Sequence, residues 1–338
     1  MAGKLEPIRR LLSIPPFKSF RDGFVRLAWH LDPDLTALGW VPLEIGLSEN
    51  RRNEFLSWNK YDAHMRSVRS FLERNPEWRQ GPEKAWSVAQ GPVKALRYIT
   101  SRRLCECRAM DFGCGSHFSD STGLILYLAG VKHTDSLELG NTLSGFETGA
   151  VLDLVHWLKD QLLSRTTALD LGQIDLSRLD QLHHVALRYR CDTDIPFEAV
   201  RIVRDNIFSS RWDNQRYDLV TSNAVLEHVE EPDRIWNRLV HLVEVGGVMH
   251  HVIDFRDHRA YYQPDRYDPL PKLGMNGKWS DPHTNGWRFR DWMQLVKSTG
   301  NFRILECKIF AADNSILTAV EENSENIASC EMILKKVC

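Results

Sequence analysis

The chain has 338 residues, 43% of them hydrophobic and 26% charged, enough for one large domain with an accessory part or for two domains. A net charge of −2 argues against a dedicated nucleic-acid or membrane-surface protein, and no apolar run approaches the length of a membrane span. The mean conceals an asymmetry. Residues 1–103 carry 18 Lys and Arg against 11 Asp and Glu, whereas the remainder carries 25 against 34, which suits a basic accessory face packed on an acidic domain and leaves an anionic partner open.

Residues 1–50 are interrupted by Pro7, Pro15, Pro16, Pro33 and Pro42, so only short helices fit there. The basic stretch 4–26 is mildly amphipathic, lacks the apolar core of a signal peptide and is expected to dock as a surface helix. Phe55, Trp58, Met65, Val68 and Leu72 then fall near one helical stripe. A second helix is expected over residues 82–89, and a third from the Gly91–Pro92 break to Arg102. Residues 1–100 therefore read as an N-terminal helical cap and 101–338 as the main domain.

The stretch 104–118, LCECRAMDFGCGSHF, organises the main domain. An apolar run leads to Asp111 and then to Gly113 and Gly115, which reads as a buried strand, a tight turn and a helix beginning at 119–121. Glycine lets the backbone pass close to a ligand, and the free N–H groups of the helix start face its polar end. A dinucleotide fingerprint would need a third glycine where Phe118 stands, and an apolar residue in place of Asp111. A carboxylate suits a cationic ligand such as S-adenosylmethionine, with its ammonium and sulfonium.

An apolar helix over 123–129 is followed by a second strand ending at Glu138, 27 positions beyond Asp111, where a carboxylate can accept both ribose hydroxyls. Asp135 is the rival, expected to be exposed. Residues 141–190, with helices over 151–163 and 176–187, read as an insertion above the site. A third strand ends at Asp205 and Asn206, whose side chains suit an adenine amino group or plain turn chemistry. Residues 216–255 then read as strand 217–222, helix 232–242, a Gly246–Gly247 turn and strand 248–253. Asn223 and Ala224 stand at the carboxyl end of a central strand, where open α/β sheets bind ligands.

The segments MDFGCGSH and YDLVTSNAVLEHVEEPDRIWNRLVHLVEVGGVMHHVID resemble class I S-adenosylmethionine-dependent methyltransferases, in the broad small-molecule group with an LEHV segment. The resemblance spans roughly residues 104–310. It implies a Rossmann-like, doubly wound seven-stranded α/β sheet closed by a C-terminal antiparallel hairpin, for which FRILECKIF and CEMILKKVC are suitable strands. It also implies that Asp111, Gly113 and Gly115 hold the methionine moiety, Glu138 the ribose and Asp205 the adenine, with Asn223 beside the methyl group. His117 stands where the family usually has a third glycine. His228, within LEHV, is expected to be structural.

Methyl transfer is an in-line displacement, so the protein mainly positions the acceptor, and an oxygen or nitrogen acceptor also calls for a base. Residues 250–262, HHVIDFRDHRAYY, follow the fifth strand. His258 is expected to be the accessible base, oriented by Asp254 or Asp257, and His251 is the second candidate, more suited to the core. A metal at this cluster is not expected. Downstream, Tyr261, Tyr262, Tyr267, Trp279 and Trp287 are candidates for an acceptor wall or for pinning a loop, while Arg256, Arg259, Arg288 or Arg290 could hold an anionic acceptor. The seven cysteines are scattered and odd in number, which suits free thiols in a reducing, cytoplasmic compartment.

The resulting expectation is methyl transfer to an oxygen or nitrogen of a small organic acceptor, with no nucleic-acid partner, no stable membrane insertion, and a homodimer left open. The alternative is a non-catalytic cofactor-binding or scaffold protein of the same fold. A dinucleotide-dependent oxidoreductase ranks third.

Overall fold

The computed structural model describes residues 81–114, 121–138, 148–164, 174–188, 197–262, 265, 267–270, 284–317 and 326–338. All of them lie in one compact unit, Asp62–Cys338. The helix expected over 53–74, the docked segment 4–26, Gly115, His117 and Trp279 lie outside the described residues.

The sheet has five parallel strands: β1 (Arg108–Phe112), β2 (His133–Glu138), β3 (Val200–Arg204), β4 (Tyr217–Asn223) and β5 (Val243–Asp254). β6 (Phe302–Phe310) and β7 (Ser329–Lys336) pair antiparallel, and β7 also runs antiparallel to β5. The sheet order is β3-β2-β1-β4-β5-β7-β6, so the expected seven-stranded sheet and closing hairpin are both present.

Side-chain alternation sorts the sheet into two cores. Ala109, Leu219, Val248 and Ile333 share one with α1 (Pro82–Ala95), α2 (Ser121–Leu128), α3 (Thr148–Ser164) and α4 (Leu176–Arg188). Their sequence neighbours Met110, Val220, Met249, Met332 and Leu334 share the other with α5 (Pro232–Leu242) and α7 (Phe289–Thr299), where Trp236 and Trp292 are fully buried. Truncating either indole to alanine would remove about 3–5 kcal/mol. A short α6 (Arg259–Tyr262) follows β5.

The two helices expected around Gly91–Pro92 are one. Ala85, Trp86, Ala89, Pro92 and Val93 make a continuous buried stripe along α1, and its packing outweighs the backbone hydrogen bond lost at Pro92. Gly91 is required by closeness to the sheet: a Cβ there would lie 2.2 Å from His250 Nε2 and 2.9 Å from Glu331 Oε1. The glycine taken for a breaker is the point of closest helix–sheet approach.

Asp135 is also corrected. It is wholly buried at the amino edge, where Tyr217 Oη donates to Oδ2 at 2.7 Å, Arg201 Nη2 lies 2.6 Å from Oδ1 and His133 Nε2 lies 3.0 Å from Oδ1. Burial opposes ionisation, but the hydrogen bonds from His133, Tyr217 and Arg201 outweigh it and hold the carboxyl down at about 2. Its period-2 position alone could not show that residues near the starts of β2, β3 and β4 would converge on it.

Candidate functional site

Strand order reverses between β1 and β4, and the carboxyl ends of these two strands face the crevice where α/β sheets take ligands. β1 exits into Gly113, whose N–H donates to the Leu137 carbonyl at 2.8 Å and whose φ is +73°. A Cβ at Gly113 would lie 2.5 Å from both methyl carbons of Val225. Gly113 therefore clears space for the β4 exit, and a valine there would test packing and backbone strain together with ligand fit. The same contact brings the two exits together.

The β4 exit is itself strained. Asn223 is half-buried, and the exposed Ala224 next to it has φ 52°, a left-handed conformation that costs a residue with a Cβ about 1–2 kcal/mol. The Ala224 N–H is held by the Val252 carbonyl at 2.9 Å. Backbone strain of this kind clusters at functional sites.

Around this crevice, Asp111 is buried near the end of β1 and in register with Ser136 and Thr221. Glu138 is the last residue of β2, opposite Arg204, so Asp205 comes one step beyond it on the neighbouring strand. The Asp205 carboxylate accepts from the Asn206 N–H at 2.8 Å, and the Asn206 side chain accepts from the Phe208 N–H at 2.9 Å. Both side chains thus shape the turn, in keeping with plain turn chemistry at that pair.

Beyond β5 the geometry departs from expectation. His258 is 6% exposed, not accessible, and its Nε2 lies 3.8 Å from Asp254 Oδ2. Asp254 itself is held by Arg256 through both oxygens, at 2.9 and 3.0 Å, and by Tyr261 Oη at 2.6 Å. Burial opposes its ionisation, but Arg256 beside it keeps the carboxyl below its ordinary value. Asp257 is engaged by Arg259 Nη2 at 2.6 Å rather than by a histidine.

His251 is fully buried, with Nδ1 2.7 Å from Ser222 Oγ, and burial followed by the nearby His250 pushes it down to about 3. It is a neutral core residue at physiological pH. Three of the four arginines expected to hold an anionic acceptor have internal work: Arg256 and Arg259 pair with the aspartates, and Arg288 donates to the Phe255 carbonyl at 2.6 Å. Among the loop aromatics, Tyr267 lies under the Arg259 guanidinium at 4.3 Å and Trp287 packs on Trp292 at 5.1 Å, so both serve as pins.

With the geometry in place, the chain can be set beside known proteins. Residues 147–250 match the methyltransferase domain family, and no curated protein matches the chain. The match runs from the start of α3 to within β5, a part of the sheet described above. The chain's outline is similar to three solved structures. Magnesium protoporphyrin IX methyltransferase from Synechocystis PCC 6803, with bound SAH, is 12% identical at a TM-score of 0.41, over 74% of this chain and 82% of that one. The plantazolicin methyltransferase in complex with SAH is 10% identical at 0.44, over 84% and 95%. An S-adenosylmethionine-dependent methyltransferase from Mesorhizobium loti is 12% identical at 0.38, over 72% and 96%.

Sequence reasoning missed one residue of this region altogether. Glu227 sits in the single turn Leu226–His228 after β4 and is 2% exposed, and neither of its carboxylate oxygens has a hydrogen-bond partner among the described residues. Burial, and then the neighbouring Asp254 charge, push this carboxyl well above the ordinary range. Asn285 fixes the turn, donating from Nδ2 to the Leu226 and Val229 carbonyls at 2.8 and 3.1 Å and from its N–H to the Glu227 carbonyl at 2.7 Å. His228, on the same turn, meets His258 edge to face at 4.8 Å. A glutamate between Leu226 and His228 was the only available signal, and it did not show which way the turn faces.

Proposed function

We propose that this domain transfers the methyl group of S-adenosylmethionine to an oxygen or nitrogen of a small organic acceptor. The observation carrying the reading is the meeting of two left-handed exits at the sheet's switch point, Gly113 at φ +73° and the strained Ala224 at φ 52°, beside the strand-end Asp111 and Glu138. The donor set fits the group: a buried carboxylate for a cationic amino-acid end and a terminal acidic residue for a diol. Asp111, Gly113, Gly115 and His117 would hold the methionine end, Glu138 the ribose, Asp205 and Asn206 the adenine side, and Asn223 the space beside the methyl group. When bound, the cofactor supplies a methyl group activated by a sulfonium.

The chain's own contribution is position and proton handling. Asn223 and the β4 exit orient the acceptor for in-line attack, an arrangement worth several kcal/mol when reacting atoms are held in contact. His258 accepts the acceptor's proton, and Asp254 supplies the negative charge 3.8 Å away that stabilises the imidazolium formed. A second reading, a cofactor-binding protein without turnover, is favoured by the burial of His258 and His251.

Calorimetry tests the donor assignment. S-Adenosylhomocysteine should bind and NAD should not, and Glu138→Ala should weaken the first by about tenfold to a hundredfold through the loss of charge-assisted hydrogen bonds. NAD binding without adenosylhomocysteine binding would overturn the reading. The Asp135 network leaves that residue unable to take over from Glu138.

A further inference from the structure

The ligand-bearing atoms of Glu227, His228 and His258 lie within 4.8 Å of one another, on two separate connections, the turn after β4 and the loop after β5. Glu227 is buried, and neither of its oxygens has a partner at full hydrogen-bond geometry among the described residues; the backbone N–H groups of Glu227 and Asp254 face it but do not offset the cost of burial. The carboxylate and the two imidazoles converge without bonding to Glu227. The Asn285 clamp holds the backbone of the turn on three hydrogen bonds. Asp254, 3.8 Å from His258 Nε2, adds a second negative charge behind the group.

We propose that Glu227, His228 and His258 form a binding site for one divalent transition-metal ion, with zinc as the representative case. Two imidazoles and one carboxylate are the donor types that first-row divalent ions prefer, and three protein ligands leave a coordination position open. The edge-to-face packing of His228 on His258 allows a ring nitrogen from each to turn toward a common point. Closing the three atoms onto an ion needs only side-chain adjustment, because zinc–nitrogen and zinc–oxygen bonds are about 2.0–2.2 Å.

The inference deepens the proposed function and rests on its assignment of His258 as proton acceptor. A ring nitrogen bound to an ion cannot accept a proton, so metal occupancy would switch the base step off and chelation would restore it. This is reversible inhibition by metal at the site itself.

The test uses the full chain, stripped with a chelator and titrated with zinc chloride by calorimetry and with cobalt chloride by visible absorption. One equivalent of zinc should bind, cobalt should give the intense bands of low-coordinate nitrogen and oxygen ligation, and turnover should fall with loading. Glu227→Gln, which keeps the shape of the side chain, and His228→Ala should each weaken zinc by more than the roughly 10–100-fold that losing a supporting partner brings. If His228→Ala fails to fold, Glu227→Gln and the cobalt spectrum still decide. Absence of stoichiometric binding would overturn the proposal. So would binding unchanged in Glu227→Gln, which would place the ion elsewhere, for instance at the surface group His156, His183 and His184. Adenosylhomocysteine titrated into the same stripped samples reads the methyltransferase assignment separately, since its binding does not involve this cluster.

Discussion

Two buried carboxylates at opposite edges of the parallel strands, Asp135 and Glu227, are held in opposite ways, while Asp254 at the carboxyl edge is paired as Asp135 is. At the amino edge, Asp135 is 0% exposed and is gripped by Tyr217, Arg201 and His133, so it is held ionised, at about 2. At the carboxyl edge, Glu227 is 2% exposed, has no hydrogen-bond partner for either oxygen among the described residues, and is pushed well above the ordinary range. A satisfied buried charge locks strands together, whereas an unsatisfied one is a liability that only a ligand or a proton can relieve. Asp135 and Glu227 thus stand in contrast along the strand axis, with the left-handed Gly113 and the strained Ala224 both at the carboxyl edge.

The largest expected effect is at the amino edge. Asp135→Ala leaves a buried hydroxyl and a guanidinium without their partner and should lower unfolding stability by about 3–5 kcal/mol, measured by urea denaturation. A loss below about 1 kcal/mol would remove the network from its structural role. Next is the chemistry: His258→Ala should reduce turnover by about 10²–10⁴ while leaving adenosylhomocysteine affinity nearly unchanged, and added imidazole should restore part of the rate. Full activity in this variant would take the base away from the carboxyl edge.

The pH dependence of stability should show both carboxylates with opposite signs. Asp135 has a folded value below its unfolded one, so its contribution, about 2–3 kcal/mol, is present above the unfolded value and is lost as pH falls from about 5 to 2. Glu227 has a folded value above its unfolded one, so the folded state binds the extra proton and stability declines as pH rises past the ordinary glutamate range. Abolishing the first slope with Asp135→Ala and the second with Glu227→Gln separates them. The smallest effect comes from the same comparison: Glu227→Gln should leave stability at neutral pH within about 1 kcal/mol of the parent, because no partner is orphaned.

Much of the fold was legible because local signals and packing agree. Strand 217–222, helix 232–242 and the pair FRILECKIF and CEMILKKVC correspond closely to Tyr217–Asn223, Pro232–Leu242, Phe302–Phe310 and Ser329–Lys336. Gly91–Pro92 misled because a helix can keep both residues when its buried stripe is continuous and a neighbour needs the missing Cβ. The carboxyl edge of β1 and β2 could be read from one short turn and one spacing. The cluster after β4 and β5 could not, since Glu227 and His258 are 31 residues apart and their meeting depends on how Asn285, from a third segment, fixes the turn. Asp254 and His258 share a stretch of sequence, yet Arg256 and Tyr261 claim the carboxylate, a competition set by side-chain reach rather than by order along the chain.

A crystal structure of the full chain soaked with S-adenosylhomocysteine addresses the division between the edges most directly. Difference density should lie across the carboxyl ends of β1, β2 and β4, with the ribose hydroxyls on Glu138 and the amino-acid end toward Asp111, and the Asp135 network should be unchanged. Density at the amino edge around Asp135 and Tyr217, or a saturated ligand bound anywhere else on the chain, would contradict the account.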